Sequence, residues 1–267
     1  MQSGDTRDSF LFYDKTGIHF HGVSKQQLLD ARKILITEIG LSNLQITEAA
    51  SYSLAMVVRF ALGLSATGGK VCLVVNDSLA GQVALACARH LRNAGSETIL
   101  LPFCAVSNAS DDFRQQFQVL QKMDVKVVAP ETISTIETYF EQAHNLIFAL
   151  YGGNISVPFA MDDFIKFLNE SRIPIHCIES PFGVNVDTGF IEDEALYASS
   201  TLSLGAPFKG LHPANDYVGR HYLCDISLTK SLYETMGDDL SRLFSDQPVI
   251  QIFPEKNEGS QSESDIP

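Results

Sequence analysis

No stretch of the 267-residue sequence approaches the ~20 consecutive apolar residues that span a bilayer. The opening Met1 to Arg7 is polar and lacks the basic-then-apolar pattern of a secretory signal. The chain is therefore expected to stay where it is made, in the cytoplasm, with no membrane partner. Cysteine is sparse: five residues, an odd number, with no CxxC and no Cys/His ligand spacing. That excludes a disulfide framework, leaves no zinc or other metal site, and suits a reducing compartment. Three of them (Cys72, Cys177 and Cys224) lie in apolar strand-like runs, where cysteine acts as a small hydrophobe. Basic residues are also short. Nineteen Lys and Arg face 32 Asp and Glu, a formal charge of −13. Phosphate backbones are gripped through Lys and Arg, so weak or no direct nucleic-acid binding is expected.

What is present is a globular composition, 45% apolar and 19% charged, long enough for one sizeable core. Residues 1–22 are mixed and turn-rich and read as an N-terminal arm. Ser24 caps a helical stretch, Lys25 to Ile39, that stops at Gly40. A second helix reads from Thr47 to Leu62. From Lys70 a regular alternation begins. Apolar runs Lys70–Asn76, Glu97–Phe103, Val125–Val128, Leu146–Leu150 and Pro174–Glu179 read as strands. Helical stretches Leu79–Ala94, Asp111–Met123, Thr132–Ala143 and Phe159–Asn169 separate them. Short buried strands alternating with three- to four-turn helices signal βαβ crossovers, so the fold class is α/β with a mostly parallel sheet. After Gly183 the helices fade, and Ser199–Gly205, Gly219–Asp225 and Pro248–Phe253 read as further strands. One domain over residues 23–254 and a polar, disordered tail over 255–267 complete the expectation.

Ligands of open parallel sheets bind beyond the carboxyl ends of the strands, and three loops there stand out. Asn76-Asp77-Ser78, leading to Gly81, precedes a helix whose N-terminus offers free N–H groups to a phosphate. A single glycine and the charge of Asp77 favour a simple helix cap over a phosphate cradle. Gly152-Gly153 after Leu146–Leu150 suits a tight turn or a close backbone approach to a ligand. Glu179-Ser180 with Gly183 puts a carboxylate at a strand end, as a general acid/base or ribose ligand, or as a group bonded to its own loop. No G-x-S-x-G elbow surrounds Ser180, so it is not read as a nucleophile. His176, alone in an apolar strand, reads as a packed core histidine.

Four motifs, in order, carry a resemblance to a known family. They are Ala88-Arg89-His90-Leu91, Pro181-Phe182-Gly183, Asp187-Thr188-Gly189, and Thr201 to Pro207 followed by Lys209. From about Ile18 to Phe253 the chain resembles the YjeF N-terminal domain family. The resemblance implies a Rossmann-like three-layer α/β/α sandwich and, among members that are enzymes, NAD(P)H-hydrate epimerase activity. It places the catalytic carboxylate on Glu179 and Lys209 near the nucleotide. It also implies a phosphate- and potassium-binding loop, N-N-G-G-D-G, but those six positions here are Leu79, Ala80, Gly81, Gln82, Val83 and Ala84. A further potassium ligand of the family falls near Ala149. Such erosion resembles the C-terminal domain of the enhancer-of-mRNA-decapping scaffold proteins, whose G-R-x-Y-L-C-D-I strand is similar to Gly219–Ile226. The expectation is thus a catalytically degenerate module acting as a homodimeric adaptor in mRNA decapping or RNA metabolism. RNA-decay proteins are its expected partners, and cytoplasmic mRNA-decay granules its expected place. No cofactor is expected, with NAD(P)H-hydrate or a related nucleotide admitted in a vestigial pocket. An epimerase with a remodelled pocket and a nucleotide-ligand sensor are the alternatives. The homodimer is expected to pair through the two N-terminal helices, with Tyr52, Met56 and Phe60 in line as anchors.

Overall fold

The computed structural model describes residues 10–61, 69–191 and 193–255. The expected tail, apart from Glu255, and the end of the second helix at Leu62 lie outside the described residues. Where the sequence reads as an arm, the chain forms β1 (Leu11–Asp14) and β2 (His19–His21), an antiparallel hairpin with Phe12 opposite Phe20. These strands are three and four residues long around a polar turn, too short for a period-2 pattern to register. Their inward Phe12 and Phe20 are nonetheless fully packed.

Two helices follow, each opened by a serine and a glutamine that satisfy one another's backbone N–H groups. Ser24 with Gln27 opens α1 (Lys25–Thr37), and Ser42 with Gln45 opens α2 (Asn43–Met56). The second capping box starts α2 four residues before the expected Thr47, and a π-turn over Val57–Ala61 ends it. The alternation then unfolds as β3 (Lys70–Val75), α3 (Leu79–Asn93), β4 (Glu97–Pro102), α4 (Asp111–Lys122), β5 (Lys126–Val127) and α5 (Ile133–Phe140). It continues through β6 (Asn145–Ala149), α6 (Met161–Glu170), β7 (Ile175–Ile178) and β8 (Ser200–Leu204). The short α7 (Asn215–Val218), β9 (Arg220–Cys224), α8 (Lys230–Met236) and β10 (Val249–Pro254) complete the chain.

The ten strands form one sheet in the order β2-β1-β10-β9-β8-β7-β6-β3-β4-β5. From β9 to β5 all neighbours are parallel, and β10, β1 and β2 add an antiparallel end. Side chains alternate across β3. Val71, Leu73 and Val75 join one apolar layer with residues of α1 to α4, and Cys72 and Val74 join the other with α5 and α6. This period-2 division makes the sheet the middle of three layers. All five cysteines are free, and four are buried. Among the described residues no helix is long and apolar enough to cross a membrane.

The winding fixes where a ligand crevice should lie. From β3 the chain moves outward to β4 and β5, then returns to lay β6 on the other side of β3. The crevice beyond the carboxyl ends of β3 and β6 is the switch point of the sheet.

Candidate functional site

Three loops meet at this edge. After β3, Ser78 caps α3 by accepting the Gly81 N–H at 3.1 Å, the cap that its loop chemistry suggests. Asp77 turns aside, accepting the Ser110 N–H at 2.7 Å and its hydroxyl at 2.6 Å. Asn76 is wholly buried and reaches across the switch point, its Nδ2 donating to the Gly152 carbonyl at 2.5 Å. Its Oδ1 accepts from the Ser78 hydroxyl at 2.8 Å. Every side-chain oxygen of Asn76, Asp77 and Ser78 therefore has a partner inside the protein.

The glycines of these loops lie against backbone. A Cβ on Gly81 would stand 1.9 Å from the Asn76 carbonyl oxygen. One on Gly153 would stand 2.2 Å from the Asp77 carbonyl oxygen, and one on Gly183 2.2 Å from that of Glu194. These glycines let one stretch of chain touch another, so the β3–α3 and β6–α6 loops interlock across the crevice. Gly152, beside them, adopts φ +70°, as a tight turn requires. Behind the crevice, Ala80, Val83, Ala84 and Ala149 are all buried in the apolar layer.

Glu179 follows β7 with φ +71°, a left-handed conformation uncommon for a residue with a side chain. Such a residue stores on the order of 1 kcal/mol or more and is typical of functional positions. Its N–H donates to the Leu202 carbonyl at 2.8 Å, which ties the turn to β8. The carboxylate is 1% exposed, and the Arg32 guanidinium, also buried, lies 2.6 Å from its Oε1. The approach is close, yet its angles are not those of a hydrogen bond, and neither carboxylate oxygen has such a partner among the described residues. Arg32 is fixed by donating from Nη2 to the Leu204 carbonyl at 2.6 Å. Ser180 is buried too, its hydroxyl donating to the Pro181 carbonyl at 3.1 Å.

Tyr151 closes the other side. Its ring packs on Phe208 at 5.5 Å between centroids, with the Lys25 ammonium 5.9 Å from its own centroid. Its hydroxyl is buried without a partner among the described residues. Burial pushes the phenol's pKa up, and the nearby Glu179 carboxylate adds to the shift. Lys209 does not join this group. It lines a separate hollow with His21, Gly22 and Gln27.

The structure thus brings Asn76, Asp77, Ser78, Gly81, Gly152 and Gly153 together and sets Glu179 and Ser180 on the adjoining strand end. Arg32 is the residue that sequence reasoning passed over. Its signal was present: it shares the inward face of α1 with Leu28, Ala31 and Leu35. A lone arginine on an apolar helical face requires a buried acceptor.

A parallel sheet wound outward from a central switch point, with a carboxylate at its carboxyl edge, defines a Rossmann-like α/β protein. Residues 43–210 match the family described as YjeF-related protein N-terminus, and the chain belongs to that family. It is 24% identical over 231 residues to the NAD(P)H-hydrate epimerase of Plasmodium vivax, covering 86% of this chain and 76% of that protein. The NAD(P)H-hydrate epimerase of Limosilactobacillus fermentum is 24% identical over 207 residues, covering 76% of this chain and 95% of its own. The crystal structure of yeast ynu0 shares the fold with a TM-score of 0.74 at 21% identity, over 87% of this chain and 100% of that one.

Proposed function

We propose that this chain is a catalytically degenerate YjeF N-terminal module that serves as a homodimeric adaptor in RNA metabolism, of the mRNA-decapping type. The observation that carries the reading is the pairing of Glu179 with Arg32. A general acid/base must reach its substrate, yet this carboxylate is 1% exposed with a guanidinium 2.6 Å from one oxygen. The bridged crevice supports the same view, because Asn76 bonds the Gly152 carbonyl across it and Gly153 lies against the Asp77 backbone. Potassium does not fit the residues present. A hard cation needs several oxygen ligands, and two positions to which the family resemblance assigns side-chain ligands are here Ala80 and Ala149, both buried.

For assembly, α2 offers an incomplete surface. Ile46, Ala50 and Leu54 are covered within the chain, while Tyr52 and Phe60 remain 52% and 66% exposed. Met56 and Phe60 line a groove with Tyr222 and Val249. A two-fold partner is the commonest cover for such a line of side chains. The decapping link rests on Gly219–Ile226, the stretch similar to the decapping scaffolds. RNA-decay proteins and a place in cytoplasmic decay granules belong to this reading.

The test is incubation with hydrated NADH and NADPH, following interconversion of the epimers, alongside sedimentation of the protein at tens of micromolar. Spontaneous-rate interconversion and a dimer are expected, with Met56→Asp/Phe60→Asp giving a folded monomer. A rate well above the spontaneous one, abolished by Glu179→Gln, installs the second reading, an epimerase with a remodelled pocket. The epimerase activity for which the relatives are named favours that reading. A wild-type monomer removes the adaptor.

A further inference from the structure

A trough runs along the edge of the sheet opposite the switch point, at the amino ends of the strands. Two hollows, of about 400 and 230 Å³, meet there at Ser171, Arg172 and Ile173, in the turn between α6 and β7. Ile175, the first residue of β7, and Ser199, just before β8, line the second of them. The floor of the first is apolar. Phe140 and Phe167 stack at 6.1 Å between centroids, and Ile173 lines the same hollow. In the second, Tyr197 is stacked on Tyr217 at 4.5 Å and is still 55% exposed.

The rim carries charge of one sign where the backbone disfavours it. α5 and α6 both end here, and the last turn of an α-helix presents free carbonyls and a partial negative charge. Cations suit such an end, yet neither last turn holds a basic residue. Glutamates stand there instead: Glu137 and Glu141 at the end of α5, and Glu170 at the end of α6. All three are exposed, and none has an ion pair among the described residues. Other surface carboxylates do, as Glu97 with Lys70 and Glu194 with Lys166. Arg172, just beyond α6, is the one cation lining the junction, so the rim keeps a net negative charge. Like charges gathered at two helix C-termini cost stability, and such breaches of local preference are found at functional sites.

We propose that this trough docks an extended segment of a partner protein in which arginines alternate with aliphatic residues. The three carboxylates and the two helix ends complement guanidinium groups, which a carboxylate binds through paired N–H donors. The exposed ring of Tyr197 offers a face to a further guanidinium. Between them, Phe140, Phe167 and Ile173 receive an aliphatic side chain, and Arg172 meets backbone carbonyls of the segment. The formal charge of −13 draws a basic segment toward the chain from a distance. α5 and α6 cover the face of the sheet opposite α1 to α4, so the trough is separate from Glu179 and from the α2 surface. Failure of the adaptor reading would leave it standing.

The test is fluorescence anisotropy of a labelled peptide, Gly-Arg-Leu-Arg-Leu-Arg-Gly with blocked ends, titrated with the full chain at about 0.15 M salt. Saturation with a Kd of about 100 μM or below is expected. Glu137→Gln/Glu141→Gln/Glu170→Gln should weaken binding about tenfold, the combined effect of three surface ion pairs. Asp30→Asn/Glu38→Gln/Asp246→Asn removes the same charge elsewhere and should weaken it less than about threefold, because salt screens distant charges. Without peptide, the glutamine triple should unfold at a slightly higher urea midpoint, since its helix ends lose like charge. Absence of saturation at about 1 mM overturns the proposal on wild-type protein alone. Equal weakening in the two triples, with wild-type midpoints, overturns it too and assigns binding to net charge. Displacement of the peptide by spermine at equal charge would give the trough to a small polycation. A changed sedimentation of the glutamine triple would give it to a second copy. Either result overturns the peptide as its occupant.

Discussion

The switch-point crevice and the hollow beside His21 both gather polar side chains at the ends of strands, but they use them differently. In the crevice, Asn76, Asp77 and Ser78 bond to one another or to neighbouring loops, and the buried charge of Glu179 sits against Arg32. In the hollow, one histidine nitrogen is oriented by Asp238 while the other, together with Lys209, has no partner among the described residues. Topology says where a doubly wound sheet can bind a ligand. Whether that place can receive one depends on which donors and acceptors are still free. By that measure the loop oxygens of Asn76, Asp77 and Ser78 are engaged within the chain, while the Glu179 carboxylate and the Tyr151 hydroxyl keep no hydrogen-bond partner among the described residues.

The sharpest way to break this contrast is Arg32→Met. It leaves Glu179 as an uncompensated buried carboxylate, and removing one member of a buried pair costs about 3–5 kcal/mol. Urea unfolding should register that loss, and adding Glu179→Gln to the same chain should recover a large part of it. A cost below about 1 kcal/mol would mean that the pair is not what holds the crevice shut, since that is the value of an exposed ion pair.

A separate test is the acid response of two strand histidines, which contrast with His21 in having no carboxylate. His176 lies between Ser200 and Asn145, at 2.9 and 2.7 Å, and His221 bonds Ser203 at 2.8 Å. Burial disfavours their charged forms and lowers His176 to about 4 and His221 to about 3, from an ordinary 6.5. Between those values the unfolded chain binds more protons than the folded one, so stability rises with pH. Their contribution is full above about 6.5 and is lost as pH falls through 4 and then 3. The slope approaches about 1.4 kcal/mol per pH unit for each histidine. Unfolding free energies measured from pH 7 to 4 should fall on that slope, and replacing either histidine with asparagine should flatten it. A wild-type profile that is flat over this range would contradict the burial.

Gly81→Ala is a smaller, local probe of the interlocked loops. The new Cβ would meet the Asn76 carbonyl at 1.9 Å, so the loop must shift. Overpacking of this kind costs about 1–3 kcal/mol. Gly22→Ala makes the matching test at the hollow, where a Cβ would crowd the Lys209 backbone at 2.6 Å. It should cost a similar amount in urea unfolding, and a cost near zero would mean that the backbone at Lys209 yields more easily than the loop at Asn76.

Much of this was legible beforehand, because the parallel half of the sheet is written in a strong code. Runs such as Val71–Val75 are apolar throughout, bounded by turn residues, and separated by helices with serine or threonine caps. The antiparallel end was not legible in the same way. β1 and β2 are too short for periodicity, and their pairing with β10 joins residues over 230 positions apart, as Tyr13 with Phe253. At the candidate site, Glu179 and the loop Asn76–Ser78 could be located by the rule for strand ends. Their partners could not. Nothing local links Arg32 to Glu179 or His21 to Asp238, because those contacts exist only after α1 and α8 have packed on the sheet.

The smallest expected effect is the most discriminating for the crevice. Tyr151→Phe removes a hydroxyl that is buried without a partner among the described residues and leaves the ring on Phe208. A buried hydroxyl that makes no hydrogen bond has lost its hydration without compensation, at roughly 1–3 kcal/mol. Its removal should therefore leave stability unchanged or raise it slightly, within about 1 kcal/mol of wild type. The Glu179 carboxylate beside it should be unaffected, since Arg32 and not the phenol contacts it. If the variant instead loses more than about 1 kcal/mol, the hydroxyl holds an ordered water or a bound molecule, because a satisfied hydrogen bond is worth that much. A crevice containing such a molecule is not filled by protein alone. Urea unfolding of Tyr151→Phe beside wild type, with and without hydrated NADPH, separates the two. A midpoint that rises with the nucleotide only in wild type would mean that the crevice still opens to its old ligand through this phenol.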